Sequence, residues 1–183
     1  MATVTATNSF LQRLIGALSL DVAIYEEVEA DTGATTQALG VVVLSSLAAG
    51  IGSRGLVATS VGSIAFVSTL ALLLWAAWAL VTFEIGTRLL PSADTRSDVG
   101  ELLRTIGFAS TPGLLRVFGI MPQATIPVFA ITAVWMLCAM VVAVRQALDY
   151  RTTARAVAVC ALGWVLAIVI ALGIGLFLSP PLS

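Results

Sequence analysis

Five stretches of the chain, 34–52, 61–83, 102–121, 124–144 and 156–178, are apolar runs separated by short polar intervals. A helix rises ~1.5 Å per residue, so about 20 residues cover a hydrocarbon core of roughly 30 Å, and each run is long enough to cross a bilayer. The third carries Arg116 and a Thr111-Pro112-Gly113 break that a water-soluble reading takes for a loop. Ahead of the runs the pattern changes. Phe10, Leu11, Leu14, Ile15 and Leu18 recur at helical spacing behind Ser9, an N-cap residue type, and predict a short amphipathic helix in the inner interface. Asp21 then precedes an apolar stripe of Ile24, Tyr25 and Val28, with Glu26 and Glu29 sharing a second face, which predicts an acidic cytosolic helix. Residues 1–8 lack a basic region and no unbroken apolar core comes after them, so the segment is expected to be retained rather than cleaved as a signal peptide. The predicted fold class is all-α: a polytopic transmembrane helical bundle of five spans over 34–178. A cytosolic and interfacial segment, 1–33, precedes it, and a short outer tail, 179–183, ends the chain.

Composition strengthens the membrane reading. Of 183 residues, 59% are hydrophobic and 10% charged. A soluble domain has about 45–50% and about 25%. A soluble core, intrinsic disorder and nucleic-acid binding all fit poorly with so apolar a chain of net charge −1.

Arginine placement gives the orientation. With the third run spanning, Arg13, Arg88, Arg96, Arg104, Arg145, Arg151 and Arg155 share one side and only Arg54 and Arg116 face the other. If it stayed on one surface, the partition would be five against four and would orient nothing. Seven against two is the asymmetry of cytoplasmic loops, so the N-terminus is expected inside and the C-terminus outside. All ten carboxylate side chains then fall on the inner side.

The residue inventory removes much chemistry. There is no histidine, and all nine basic residues are arginine. Histidine-based catalysis, histidine metal sites, lysine Schiff bases and Walker loops are therefore excluded. Every aspartate lies outside the runs, so an intramembrane aspartyl pair is excluded as well. Cys138 and Cys160 lie in the fourth and fifth runs without metal spacing and read as inert thiols. Trp75 and Trp78 read as lipid-facing or packing residues, and Ser46 with Gly50 as a close helix contact. No catalytic residue, cofactor or metal is assigned.

Two groups of residues remain as candidate sites. Ser110, Thr111 and Arg116 surround the Pro112 break, where the proline leaves the Phe108 carbonyl without its helical donor. Arg116 is either an interfacial anchor or part of a pocket for an anion or lipid headgroup. On the inner side, Glu26, Glu27, Glu29 and Asp31 are expected to meet Arg104, Arg145, Asp149, Arg151 and Arg155 as a docking surface or a solvated helix; the acidic spacing matches no EF-hand loop. Ion pairs are expected at Glu84 with Arg88, Arg145 with Asp149, and Glu101 with Arg104.

Several stretches taken together resemble the Yip family of five-span membrane proteins, in its short prokaryotic form. They are Tyr25-Glu26-Glu27-Val28-Glu29-Ala30-Asp31 with Ala34-Thr35 and Gln37-Ala38, then Glu101-Leu102-Leu103-Arg104 and Gly107-Phe108-Ala109-Ser110-Thr111-Pro112-Gly113-Leu114-Leu115-Arg116. Val141-Val142-Ala143-Val144-Arg145-Gln146-Ala147-Leu148-Asp149, Thr153, Arg155-Ala156 and Gly163-Trp164 complete the set. The resemblance implies a helical bundle with a cytosolic N-terminus in a prokaryotic inner membrane. Family members in eukaryotes bind Rab-type GTPases, but this chain lacks their tyrosine-glycine-proline element and their long N-terminal region, so GTPase binding is not carried over. The expected function is membrane organisation or an adaptor role without catalysis. The alternative is a small transporter or channel for an anion or lipid-like solute. Expected partners are the lipid bilayer and either another membrane protein or a second copy of the chain.

Overall fold

A computed structural model describes residues 8–55, 60–90 and 98–178; the expected outer tail 179–183 lies outside the described residues. Every described element is helical. Helix α1, Phe10–Leu18, starts in a capping box in which the Ser9 side chain accepts from Gln12 N and the Gln12 side chain accepts from Ser9 N. The chain reverses at Leu20, whose φ is 60°, and the Asp21 carboxylate then accepts from Ala23 N to open α2, Val22–Ala30. Helix α3 runs over Ala34–Gly52. Helix α4 covers Val61–Glu84 and continues as a wider π turn through Ile85–Leu89.

Among the described residues three helical stretches, Ala34–Gly52, Val61–Leu89 and Pro122–Ala147, are long and apolar enough to cross a membrane. Pro122–Ala147 is α6, and α7 is Thr153–Leu178. Their surface is inverted relative to a soluble protein. Phe66, Leu73, Leu74, Leu80, Ile131 and Val134 are exposed, while alanines such as Ala38, Ala79, Ala139, Ala143 and Ala156 are buried where helices meet. Close packing through small residues and an outward apolar face is the arrangement that a lipid solvent favours.

The expected third run is not one α-helix. Helix α5, Val99–Ala109, begins in a second capping box between Asp98 and Glu101 and ends at Ser110. Thr111–Ile120 then winds as a 3₁₀ helix with Pro112 in its first turn. Such runs rarely exceed 3–4 residues. This one has ten, and it packs between α3 and α6. The core lies where α2, α3, α5 and α6 converge, with Tyr25, Val28, Val41, Leu102, Ile106 and Phe108 fully or almost fully buried.

Candidate functional site

Arg116 leaves the 3₁₀ segment toward α6. Its Nε donates to Thr132 Oγ1 at 3.3 Å, and its guanidinium carbon lies 5.3 Å from the Phe129 ring centroid. The Thr132 hydroxyl donates in turn to the Val128 carbonyl at 2.8 Å, which leaves its oxygen free to accept and fixes the guanidinium plane. Arg116 helps to line a cavity of about 40 Å³ with Ser45, Ser46, Trp75, Ser110 and Met136. Ser110 and Arg116 thus share one cavity, whereas Thr111 is turned onto its own backbone.

The Phe108 carbonyl is not left without a donor at Pro112. It accepts from Thr111 Oγ1 at 2.5 Å and also from the Ser110 N–H. Serine and threonine hydroxyls readily return to the preceding turn in this way, so the break satisfies itself.

The buried side-chain polar atoms that lack a hydrogen-bond partner among the described residues are Ser68 Oγ, Trp75 Nε1, Trp78 Nε1 and Thr82 Oγ1. All four belong to α4. Ser68, Trp75 and Thr82 are two helical turns apart in succession, and the spacing puts them, with Trp78, on one face.

The charged end of the molecule is organised around α2. Arg13 on α1 is 2% exposed and pairs with Glu27 at 2.9 Å and Asp31 at 2.6 Å, and its Nη1 donates to the Gln37 side chain. Burial by itself would raise the Glu27 carboxyl, but hydrogen bonds from Asn8 and Arg13 outweigh it and hold the group below its ordinary range. Asp31 is held below its range chiefly by the Arg13 hydrogen bond. Arg104 on α5 is buried and donates to the Val28 and Glu29 carbonyls, where α2 presents unpaired acceptors and the negative end of its dipole.

Glu29 is half-buried. Burial, then Asp149 and Glu101, push its carboxyl up to about 7 against the opposing charge of Arg104, and Glu26 adds to the rise. Glu26 is exposed and accepts from Gln146 Nε2 at 3.0 Å. Arg145 donates to the Tyr150 carbonyl at 3.4 Å and to Thr153 Oγ1 at 3.3 Å. Arg155 is exposed with its guanidinium 5.7 Å from the Tyr150 ring centroid, and Asp149 and Arg151 are also exposed.

Of the three expected ion pairs, Glu84 with Arg88 forms, at 2.9 Å. The other two are absent from the ion pairs of the described residues, for local reasons. Asp149 lies beyond the end of α6 with a φ of 50°, which breaks the four-residue register with Arg145. Glu101 is committed to the Asp98 N–H of its own cap, so Arg104 reaches across to α2.

Sequence reasoning missed Arg13, whose carboxylate partners are 14 and 18 residues away, and Tyr150, whose buried hydroxyl lies 3.0 Å from the Gly86 carbonyl and 2.8 Å from that of Leu90. It also missed Trp135, which ties α6 to α1 by donating to the Leu18 carbonyl at 2.9 Å. The signal present was a single charged residue, an arginine, on an otherwise neutral α1. No three of His, Cys, Asp or Glu converge as metal ligands among the described residues. No family model, curated protein or solved structure matches the chain.

Proposed function

We propose that the chain is a five-crossing, Yip-type protein of a prokaryotic inner membrane that organises membrane or serves as an adaptor, without catalysis. Its N-terminus is cytoplasmic and its C-terminus outside, with α1 in the inner interface and α2 beneath the bundle. Three long apolar helices support the membrane placement. The third crossing in this reading is α5 continued by the 3₁₀ segment. Eleven α-helical residues at ~1.5 Å and ten 3₁₀ residues at ~2.0 Å reach about 36 Å, enough for the hydrocarbon core.

The observation that carries the adaptor reading is the fastening of α2. Arg13 and Arg104 hold it in place while Glu26 and Asp149 remain exposed, a preformed acidic face suited to a cationic segment of a partner. Single cysteines at Ser53, Ala93 and Ser183 in a cysteine-free background test the topology. Ser53 and Ser183 should label from outside; outside labelling of Ala93 would reverse the orientation. For the adaptor role, proteins crosslinked in membranes to wild type are compared with those crosslinked to Glu26→Arg/Asp149→Arg. A partner lost in the double variant supports the acidic face, and an unchanged set rejects it.

The second reading is a small transporter or channel for an anion or lipid-like solute. It is favoured by an arginine and a cavity beside irregular helix in the apolar part of the bundle. Anion flux into proteoliposomes tests it.

A further inference from the structure

The groups around Arg116 are unbalanced in one direction. Of its five N–H donors, Nε is used by Thr132, and Nη1 and Nη2 have no partner in the hydrogen bonds and ion pairs of the described residues. No described carboxylate pairs with Arg116, and the Phe129 ring beside it carries no charge to neutralise it. Trp75 lines the same cavity with its ring, and Ser110, whose hydroxyl donates to the Ile106 carbonyl, brings no negative charge to it. Ser45 and Ser46 add hydroxyls that can donate as well. A cation is repelled from such a set. Water can fill the space but cannot cancel the charge, and an uncompensated charge in an apolar interior is costly.

We infer that this cavity is a binding site for a single anionic oxygen group, of phosphate or carboxylate chemistry, gripped by the Arg116 guanidinium with the Ser45 and Ser46 hydroxyls beside it. A planar guanidinium is matched to two oxygens of one such group, and Thr132 holds the plane. The size agrees: about 40 Å³ takes one small headgroup or free anion rather than a whole lipid or nucleotide. Depth is set by the helices. Ser45 lies seven residues, ~10 Å, from the Gly52 end of α3, and Met136 lies fourteen, ~21 Å, from the Pro122 end of α6. A bound group therefore sits below headgroup level, reached either by a lipid phosphodiester drawn inward or by a free anion. The inference deepens the transporter reading and rests on the five-crossing topology for this depth alone.

The test uses the full-length protein in mild detergent. Inorganic phosphate is one probe, and exchange into nanodiscs of phosphatidylglycerol or of phosphatidylcholine is the other. Wild type should gain several degrees in its unfolding midpoint with phosphate, with phosphatidylglycerol over phosphatidylcholine, or with both. Phosphate alone identifies a free anion, and phosphatidylglycerol alone a lipid headgroup. Ser46→Ala trims one lining hydroxyl and Arg116→Lys keeps the charge, so both should fold; Arg116→Lys should weaken the effective probe tenfold or more and Ser46→Ala severalfold. No response in wild type, or responses unchanged in both variants, overturns the site. Cysteine accessibility is measured in parallel. A correct topology with no binding rejects the site alone, and absence of flux with binding intact rejects transport alone.

Discussion

Gly113 stands so close to Ser45 that a Cβ built on it would lie 2.1 Å from the Ser45 Oγ. The same closeness recurs along α3: a Cβ on Gly107 would meet the Ala38 Cβ at 2.7 Å, and one on Gly119 the Gly52 carbonyl at 3.1 Å. On α3 these positions, Ala38, Ser45 and Gly52, are seven residues apart, two α-helical turns. On the facing segment Gly107 closes α5, and Gly113 and Gly119, both in the 3₁₀ helix, are six apart, which is two turns at three residues each. Six residues of α-helix turn through about 600° and would carry Gly119 to another face. Winding as 3₁₀ after Pro112 keeps the small residues on the side of α3.

Gly113→Ala should therefore destabilise the bundle by about 1–3 kcal/mol, the usual cost of forcing a methyl into a packed contact. Adding Ser45→Ala removes the nearest atom and should recover much of the loss. Gly52→Ala should have no such rescue, because its Cβ would meet the Arg116 backbone carbonyl at 1.9 Å. Gly40→Ala, with nothing within 4 Å, should be neutral. Thermal unfolding of the four variants in one detergent checks the order; equal midpoints for Gly40→Ala and Gly52→Ala would contradict the packing.

The long apolar helices were legible because length and composition are local properties. The expected run 34–52 and the helix Ala34–Gly52 share both ends, and α4 and α6 differ from their runs by a few residues. The 3₁₀ winding was not legible. Thr111-Pro112-Gly113 announces a break, but the winding of Thr111–Ile120 is set by α3 and α6 on either side. The cavity shows the same division. Ser110 and Arg116 stand out as polar residues in an apolar run, whereas Ser45, Ser46, Trp75 and Met136 join them from three other helices. No spacing rule connects those positions.

Arg13→Gln should free the N-terminal helices. It removes the cation from two carboxylates and leaves Glu27 and Asp31 facing each other, a loss on the order of 2 kcal/mol for partly buried charge-assisted bonds. Limited proteolysis within residues 8–33 should become several-fold faster while cleavage elsewhere is unchanged. A uniform increase would mean that the whole bundle had loosened instead.

Tyr150→Phe should destabilise the π turn at the end of α4. The lost hydroxyl is the buried donor shared by the Gly86 and Leu90 carbonyls, and removing it should cost about 1–2 kcal/mol. Hydrogen exchange at the amides of residues 85–90 should rise, with α2 unaffected because Tyr150 makes no hydrogen bond to it. Unchanged exchange at 85–90 would show that the hydroxyl does not hold the turn.

Glu29 gives α2 a pH dependence opposite in sign to that of its neighbours. Its carboxyl is raised to about 7 from 4.5 by burial and by Asp149, Glu101 and Glu26, with Arg104 opposing. The native state thus holds this proton more tightly than the unfolded chain. Attachment of α2 should weaken as pH rises from about 4.5 to about 7 and then level off. Glu27 and Asp31 are lowered, so their contribution is present above the ordinary carboxylate range and is lost as pH falls below about 4. The two signs together predict tightest docking in mildly acidic solution. Glu29→Gln keeps the shape and removes the titration, so its proteolysis rate at α2 should be flat from pH 5 to 7, where wild type becomes progressively more susceptible. A wild-type rate that is equally flat would show that Glu29 does not carry a tightly held proton in the native state.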